Sequence, residues 1–322
     1  MLKRIRIIIL LMLTGASLPA QTGQPARISM PFPVYSQYLQ NGLVINPAYA
    51  GSREALNLFT SIRYQWMGMQ SGSPLFETLS MHSMLKNDHV GLGLTGQYLS
   101  YGRTTGTSVY AIYSYHLTFG KTRLSLGLRG GVDMANTNYK GLFLESNSVA
   151  DPDPAFSVDA KPYIMPNVGA GFYLYNKKFF FGASVPQFFS YVKSSDGKVS
   201  FNTFQKFDIQ ATAGCLLKFS DGFKFKPSVF VDYSLDPTRK LRMDLNGNFI
   251  ISDLIWIGGS YRIGEKCAVG ILQLQVNPKL MFGISYDYPM GTLSPPFTLG
   301  SAEAILRYEF GYKVTASNPR YF

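Results

Sequence analysis

The chain has 322 residues, a formal charge of +11, 15% aromatic and 15% charged residues, and two cysteines. Soluble domains carry about 25% charged residues, so the composition argues against an ordinary soluble enzyme. Two cysteines, Cys215 and Cys267, are too few for a disulfide scaffold or a thiolate metal cluster and read as unpaired strand residues. Three of the 30 basic residues lie in the first six positions, leaving 27 against 19 acidic ones, scattered singly with no basic run. That pattern fits lumen and headgroup contacts and speaks against nucleic acid.

Lys3, Arg4 and Arg6 precede the apolar stretch Ile7 to Leu13, and small residues follow up to Ala20. The stretch is too short to cross a bilayer and has the form of a secretory signal peptide over residues 1–20, with the mature chain starting near Gln21. No later apolar run is long enough for a membrane-spanning helix. An exported, aromatic-rich, charge-poor chain of this kind points to a transmembrane β-barrel, whose lipid-facing residues are hidden by alternation.

Residues 35–52, "YSQYLQNGLVINPAYAGS", mix aromatics, amides and turn residues and match neither helix nor strand. From Leu56 onward the pattern changes. Leu56, Leu58, Ile62, Tyr64 and Trp66 share one parity, while Asn57, Ser61, Arg63 and Gln65 share the other. Leu124, Leu126, Leu128, Val132 and Met134 likewise oppose Arg123, Ser125, Gly127, Arg129 and Asp133. Phe207 to Phe219 and Ala302 to Phe310 repeat the scheme, with Lys206, Asp208, Gln210 and Thr212 on the polar side of the first and Glu303, Arg307 and Glu309 on that of the second.

Some fourteen such segments follow one another: 55–67, 74–85, 89–101, 104–118, 122–138, 167–176, 179–188, 206–219, 223–235, 241–252, 254–264, 266–277, 280–290 and 300–312. The links after even-numbered segments are short, near Lys86, Gly120, Lys177, Asp221, Asp253 and Pro278, whereas the long links 139–166, 189–205 and 289–299 all follow odd-numbered ones. Short turns on one side and long loops on the other are the outer-membrane arrangement. The predicted fold is therefore an all-β, antiparallel transmembrane barrel of about fourteen strands over residues 55–312, with a C-terminal periplasmic tail at 313–322. A secreted sandwich or propeller is the alternative, but it would need a second sheet to cover so many apolar faces.

Several motifs invite other chemistry. Gly91, Gly93 and Gly96 have G-x-G-x-x-G spacing, but Val90, Leu92 and Leu94 continue an apolar stripe, so strand glycines facing a crowded lumen are expected. Asp151 to Pro154 with Asp159 lack the spacing and glycine of a calcium loop. The histidines His82, His89 and His116 have no nucleophile or metal-ligand spacing beside them, so neither catalytic residues, a metal nor a cofactor is expected. Glu77, Asp133, Asp208, Asp232, Asp244 and Asp287 are expected to pair inside the barrel with bases such as Arg63, Arg129, Arg242 and Arg307, with Gln65 in the same network.

A fourteen-stranded barrel is too wide for its own side chains to fill. Residues 21–54 are therefore expected to lie inside as a plug, with turns at Asn46-Pro47 and Ala50-Gly51 and with Tyr35, Tyr38 and Tyr49 turning hydroxyls to the polar walls.

The stretch carrying Gln37, Tyr38, Asn46, Pro47, Ala48, Ala50 and Gly51 resembles the N-terminal signature Q-Y-x(n)-N-P-A-x-A-G of the PorP/SprF family of Bacteroidota outer-membrane proteins; Tyr35, Tyr49 and Ser52 lie within the same stretch. Arg63, Gln65 and Trp66 resemble the family's R-x-Q-W, and "SNPRYF" at 317–322 its usual ending. The residues Met67-Gly68-Met69 depart from many members. The resemblance implies a place in type IX secretion and gliding motility. Its implied partners are the ring of lipoprotein and periplasmic subunits, or one secreted surface protein through its C-terminal domain. On this reading the long loops capture cargo, while plug and short turns face the periplasm. A fatty-acid channel or a porin, also an outer-membrane barrel among lipid, is the competing class.

Overall fold

The computed structural model describes residues 27–28, 34–53, 55–69, 72–85, 88–138, 162–193, 199–203, 207–235, 239, 241–291 and 298–311. The signal-peptide expectation, the Asp151–Pro154 stretch, Asp159, Lys206 and the tail at 317–322 lie outside them.

Fourteen strands form the wall. They are β1 Leu56–Met67, β2 Leu75–Met84, β3 Val90–Tyr101, β4 Thr104–Phe119 and β5 Thr122–Thr137; β6 Tyr163–Tyr175, β7 Phe179–Val185, and β8 Asp208–Cys215, continued by Leu217–Lys218; and β9 Phe223–Ser234, β10 Arg242–Ile251, β11 Ile255–Ile263, β12 Cys267–Asn277, β13 Leu280–Pro289 and β14 Gly300–Phe310. Each pairs antiparallel with its neighbours, and β14 returns to β1, from Ala302 opposite Tyr64 to Phe310 opposite Leu56. The sheet is a closed ring without an edge, which satisfies every ladder a bilayer would otherwise leave unpaired.

Alternation decides which residue faces where. Ser125 and Arg129 are buried while Leu126 and Leu128 stand outside, and Asn57, Ser61, Arg63 and Gln65 are buried while Ile62 and Tyr64 are exposed. Exposed Leu, Ile, Tyr and Phe side chains recur on the outer face of every wall strand except β7 and β8, where exposed Phe and Leu gather near the short turns. The short connections at 85–89, 120–121, 176–178, 219–222, 252–254 and 278–279 all lie at one end of the ring. The links 138–162, 186–207 and 290–299 lie at the other, here called the long-loop end.

Several expectations need correction. Glu77 does not face the lumen: it is exposed on the parity of Leu75, Leu79 and Met81, while Phe76, Thr78, Ser80 and His82 are buried. It pairs across the sheet with Ile62 and Tyr98 near the long-loop end. Gly96 also faces outward, because G-x-G-x-x-G places its third glycine on the opposite parity from Gly91 and Gly93. The link 189–205 is not plain loop: Phe189–Lys193 and Val199–Thr203 pair with each other, and Arg27–Ile28 adds a third strand. Finally, β6 begins at Tyr163 rather than at 167, taking in Pro166 and the apolar residues before it.

Two prolines mark irregularities in the wall. Pro186 follows the last residue of β7, the shortest uninterrupted strand of the ring, and the β8–β9 ladder skips Cys215 and Leu216 opposite Pro227, which has no N–H to offer. At the end of β1, Trp66 has φ of 53° where the β1–β14 register shifts, so it leaves the outward stripe expected of it and is half-buried.

Leu128 is 62% exposed at mid-strand, so Leu128→Arg is expected to destabilise the folded barrel in lipid vesicles by about 2–4 kcal/mol. Urea titration checks this; a change below about 0.5 kcal/mol, as at a soluble surface, would contradict a lipid-facing wall.

Candidate functional site

Residues 34–53 lie among the inward side chains of the ring, and all but Leu39 and Gly42 are buried. The segment is not wholly irregular. Gly42–Ile45 makes one helical turn and Pro47–Tyr49 a 3₁₀ turn, between which Asn46 is extended. Asn46 caps the second turn: its side-chain oxygen accepts from Ala48 N at 2.9 Å, and its amide donates to Phe172 O at 2.8 Å in β6. Proline at the first position of the turn loses no hydrogen bond. One asparagine thus shapes the turn and ties it to the wall.

The fit at Ala48 is close enough to dictate the opposing residue. A β-carbon on Gly127 of β5 would lie 2.1 Å from Ala48 N and 2.4 Å from its Cα. A β-carbon on Gly91 of β3 would lie 2.4 Å from Ala50 O. The same carbonyl accepts from Ser114 Oγ at 2.8 Å and lies 2.8 Å from His116 Nε2, while Gly51 N donates to His82 Nδ1 at 3.0 Å. The two strand histidines therefore hold backbone. Ser52, the last residue of the signature, is also buried.

The tyrosines follow expectation in two cases of three. Tyr38 meets Ser228 Oγ at 3.0 Å, and Tyr35 accepts from Gln97 at 2.5 Å and meets Thr78 Oγ1 at 2.8 Å. Burial raises both hydroxyl pKa values, so each remains a donor. The Tyr49 hydroxyl instead accepts from Arg53 Nε at 2.9 Å, within the segment, while its ring edges onto His82 and Tyr173. Gln37 accepts from Gln273 Nε2 at 3.0 Å.

Charge is concentrated where the segment enters the wall. Ser36 Oγ donates to Asp287 Oδ1 at 2.6 Å and accepts from Arg63 at 3.0 Å and Arg262 at 3.1 Å; its N–H donates to Glu303 Oε2 at 2.7 Å. Arg63 pairs with Asp287 at 2.7 Å and Glu303 at 3.3 Å, and Arg262 with Asp287 at 2.9 Å and Asp244 at 3.1 Å. A cavity of about 230 Å³ opens beside this cluster, lined by Arg63, Gln65, Arg262, Asp287 and Ser301. At the far end of the segment Arg53 pairs with Glu309 at 2.7 Å, and Arg307 reaches both Glu309, at 3.3 Å, and Gln40.

The structure thus gathers Arg63, Gln65, Asp287 and Arg307 around the segment. Arg129 also joins it, donating to Val44 O at 3.3 Å and to Pro186 O at 2.5 Å while stacking on Tyr110. Asp133 accepts from Tyr110 at 2.7 Å and Gln187 at 2.8 Å. Arg242 pairs with Asp232 at 3.2 Å, and half-buried Asp208 with Arg239. Sequence reading missed Arg53 and Arg262. Arg262 shares the parity of buried Trp256 and half-buried Ser260, opposite exposed Ile257, Tyr261 and Ile263, and that alternation marks it as inward. Arg53 lies outside any alternating run. Both cysteines are free, as expected.

The fold is that of outer-membrane barrels. The chain is similar to the toluene transporter TbuX of Ralstonia pickettii at 11% identity and TM-score 0.52, covering 89% of this chain and 96% of that one. It is similar to the CymD monoaromatic hydrocarbon channel at 11% identity and TM-score 0.50, with 88% and 95% covered, and to the P. putida toluene transporter TodX at 10% and 0.50, with 85% and 95% covered. No curated relative matches the sequence. The model of the type IX secretion system membrane protein PorP/SprF matches residues 29–308, from ahead of the luminal segment into the last strand, and the chain belongs to that family.

Proposed function

We propose that the protein is a non-enzymatic outer-membrane component of type IX secretion and gliding motility. It acts as an occluded barrel that docks on the periplasmic secretion ring, or that helps to export and anchor one cognate secreted surface protein. The observation that carries this reading is the luminal segment itself. Residues 34–53 are seated by the hydrogen bonds of Ser36 to a charged cluster at one end, by the Arg53–Glu309 ion pair at the other and by backbone held against strand glycines in the middle. A bore filled in this way serves diffusion poorly and leaves the outer contours of the barrel as its working surfaces. His82 and His116 are spent on the segment's backbone, which favours a non-catalytic role. Family membership supplies the secretion context.

A second reading, a transporter of small apolar molecules or a porin, draws support from the likeness to hydrocarbon channels and from the wall breaks at Pro186 and Pro227. Against it stand the inward-facing Arg63, Arg262, Arg307, Asp287 and Glu303, which give the interior a charged rather than oily lining.

Purification from native membranes with mass spectrometry of what stays attached separates the two: ring subunits or one large surface protein are expected, whereas the barrel alone, with substrate uptake lost on deletion, supports transport. Replacing Asn46-Pro47-Ala48 by Gly-Ser-Gly is expected to raise single-channel conductance in planar bilayers, and unchanged conductance would show that the segment is not the stopper. Gly127→Val is expected to cost about 1–3 kcal/mol through overpacking against Ala48, read by denaturant titration. Gly96→Val, which points into open space outside the wall, is the matched control and should be close to neutral.

A further inference from the structure

The position of Arg27–Ile28 follows from the direction of the strands. Arg27–Ile28 pairs antiparallel with Tyr191–Val192 in the link after β7. That strand starts at the short turn 176–178 and runs away from it, so the link, and Arg27–Ile28 with it, lie at the long-loop end. By contrast, β1 begins at the short-turn end, because its successor link 68–74 is at the long-loop end.

Contacts between these two points descend in sequence order. Ser36 meets Arg63, Arg262 and Asp287, all near the long-loop ends of their strands. Tyr38 meets Ser228 and Gln40 meets Gln273 at middle height. Ala50 meets His116, Gly51 meets His82 and Arg53 meets Glu309, each within a few residues of a short-turn end. A segment that entered from the short-turn side and folded back would show these contacts in a different order.

We infer that the chain threads the bore from the long-loop end to the short-turn end, so that Arg27–Ile28, ahead of the luminal segment, lie on the same side as the long loops. In an outer-membrane barrel that side is the cell exterior. There Arg27–Ile28 forms one outer strand of the sheet with Phe189–Lys193 and Val199–Thr203. This replaces the expectation that the whole segment belongs to the periplasmic face; only its end near Arg53 does.

Single-cysteine variants in a Cys215→Ala, Cys267→Ala background test the threading. Thr22→Cys reports the chain start, Glu265→Cys the connection between β11 and β12 at the long-loop end, and Asp221→Cys a short turn where the native side chain is 98% exposed. Each is treated with a membrane-impermeant maleimide on intact cells and again after outer-membrane permeabilisation. Thr22→Cys is expected to label on intact cells as Glu265→Cys does, with Asp221→Cys labelling only after permeabilisation. Thr22→Cys following Asp221→Cys, or staying unlabelled in both states, overturns the inference. An inverted barrel would exchange the two reference sites without changing which of them Thr22→Cys follows, so orientation and threading are read separately.

Discussion

A single serine hydroxyl organises the interior. Ser36 accepts from two arginines and donates to one of the carboxylates that pair with them, while its own N–H binds another. Arg63 and Arg262 are each about 1% exposed. Charges withdrawn from water this completely are tolerable only with near-complete pairing, and deleting one partner of such a pair typically costs about 3–5 kcal/mol. Replacing a whole buried network by apolar residues is often neutral, so the value of the cluster lies in placement. It ties Ser36, and the segment with it, to one height in the bore.

The middle of the segment uses a different principle. Ala48 and Ala50 are fully buried, and the strand residues opposite them are glycines. Small residues on both sides let two backbones approach closely, and Asn46 fixes the angle at which the turn arrives. Ser36 bonded to wall charges at one end, the Arg53–Glu309 pair at the other and close backbone contact between them pack the segment into the barrel's core.

Strands were legible because alternation is local: Ser125, Gly127 and Arg129 against Leu124, Leu126 and Leu128 need no knowledge of neighbours. Glu77 defies its residue type: its charge suggests the lumen, but it shares the outward parity of Leu75 and Leu79. The position of residues 34–53 inside the ring could be anticipated from composition and from the space in a wide barrel. Its partners could not: Ser36 and Asp287 are 251 positions apart and Arg53 and Glu309 256. Pairings between such positions depend on strand register and tilt, which alternation leaves open. The strand at Arg27–Ile28 was hidden for a related reason, since two residues show no periodicity.

The Arg53–Glu309 pair has a consequence for biogenesis. Arg53 stands just ahead of the first strand, and Glu309 is the penultimate residue of the last, so this bridge spans the seam where the two ends of the sheet meet. Seating the inner thread and joining the circle are therefore energetically coupled: the Arg53–Glu309 contact exists only when the last strand lies against the first and residues 34–53 lie inside.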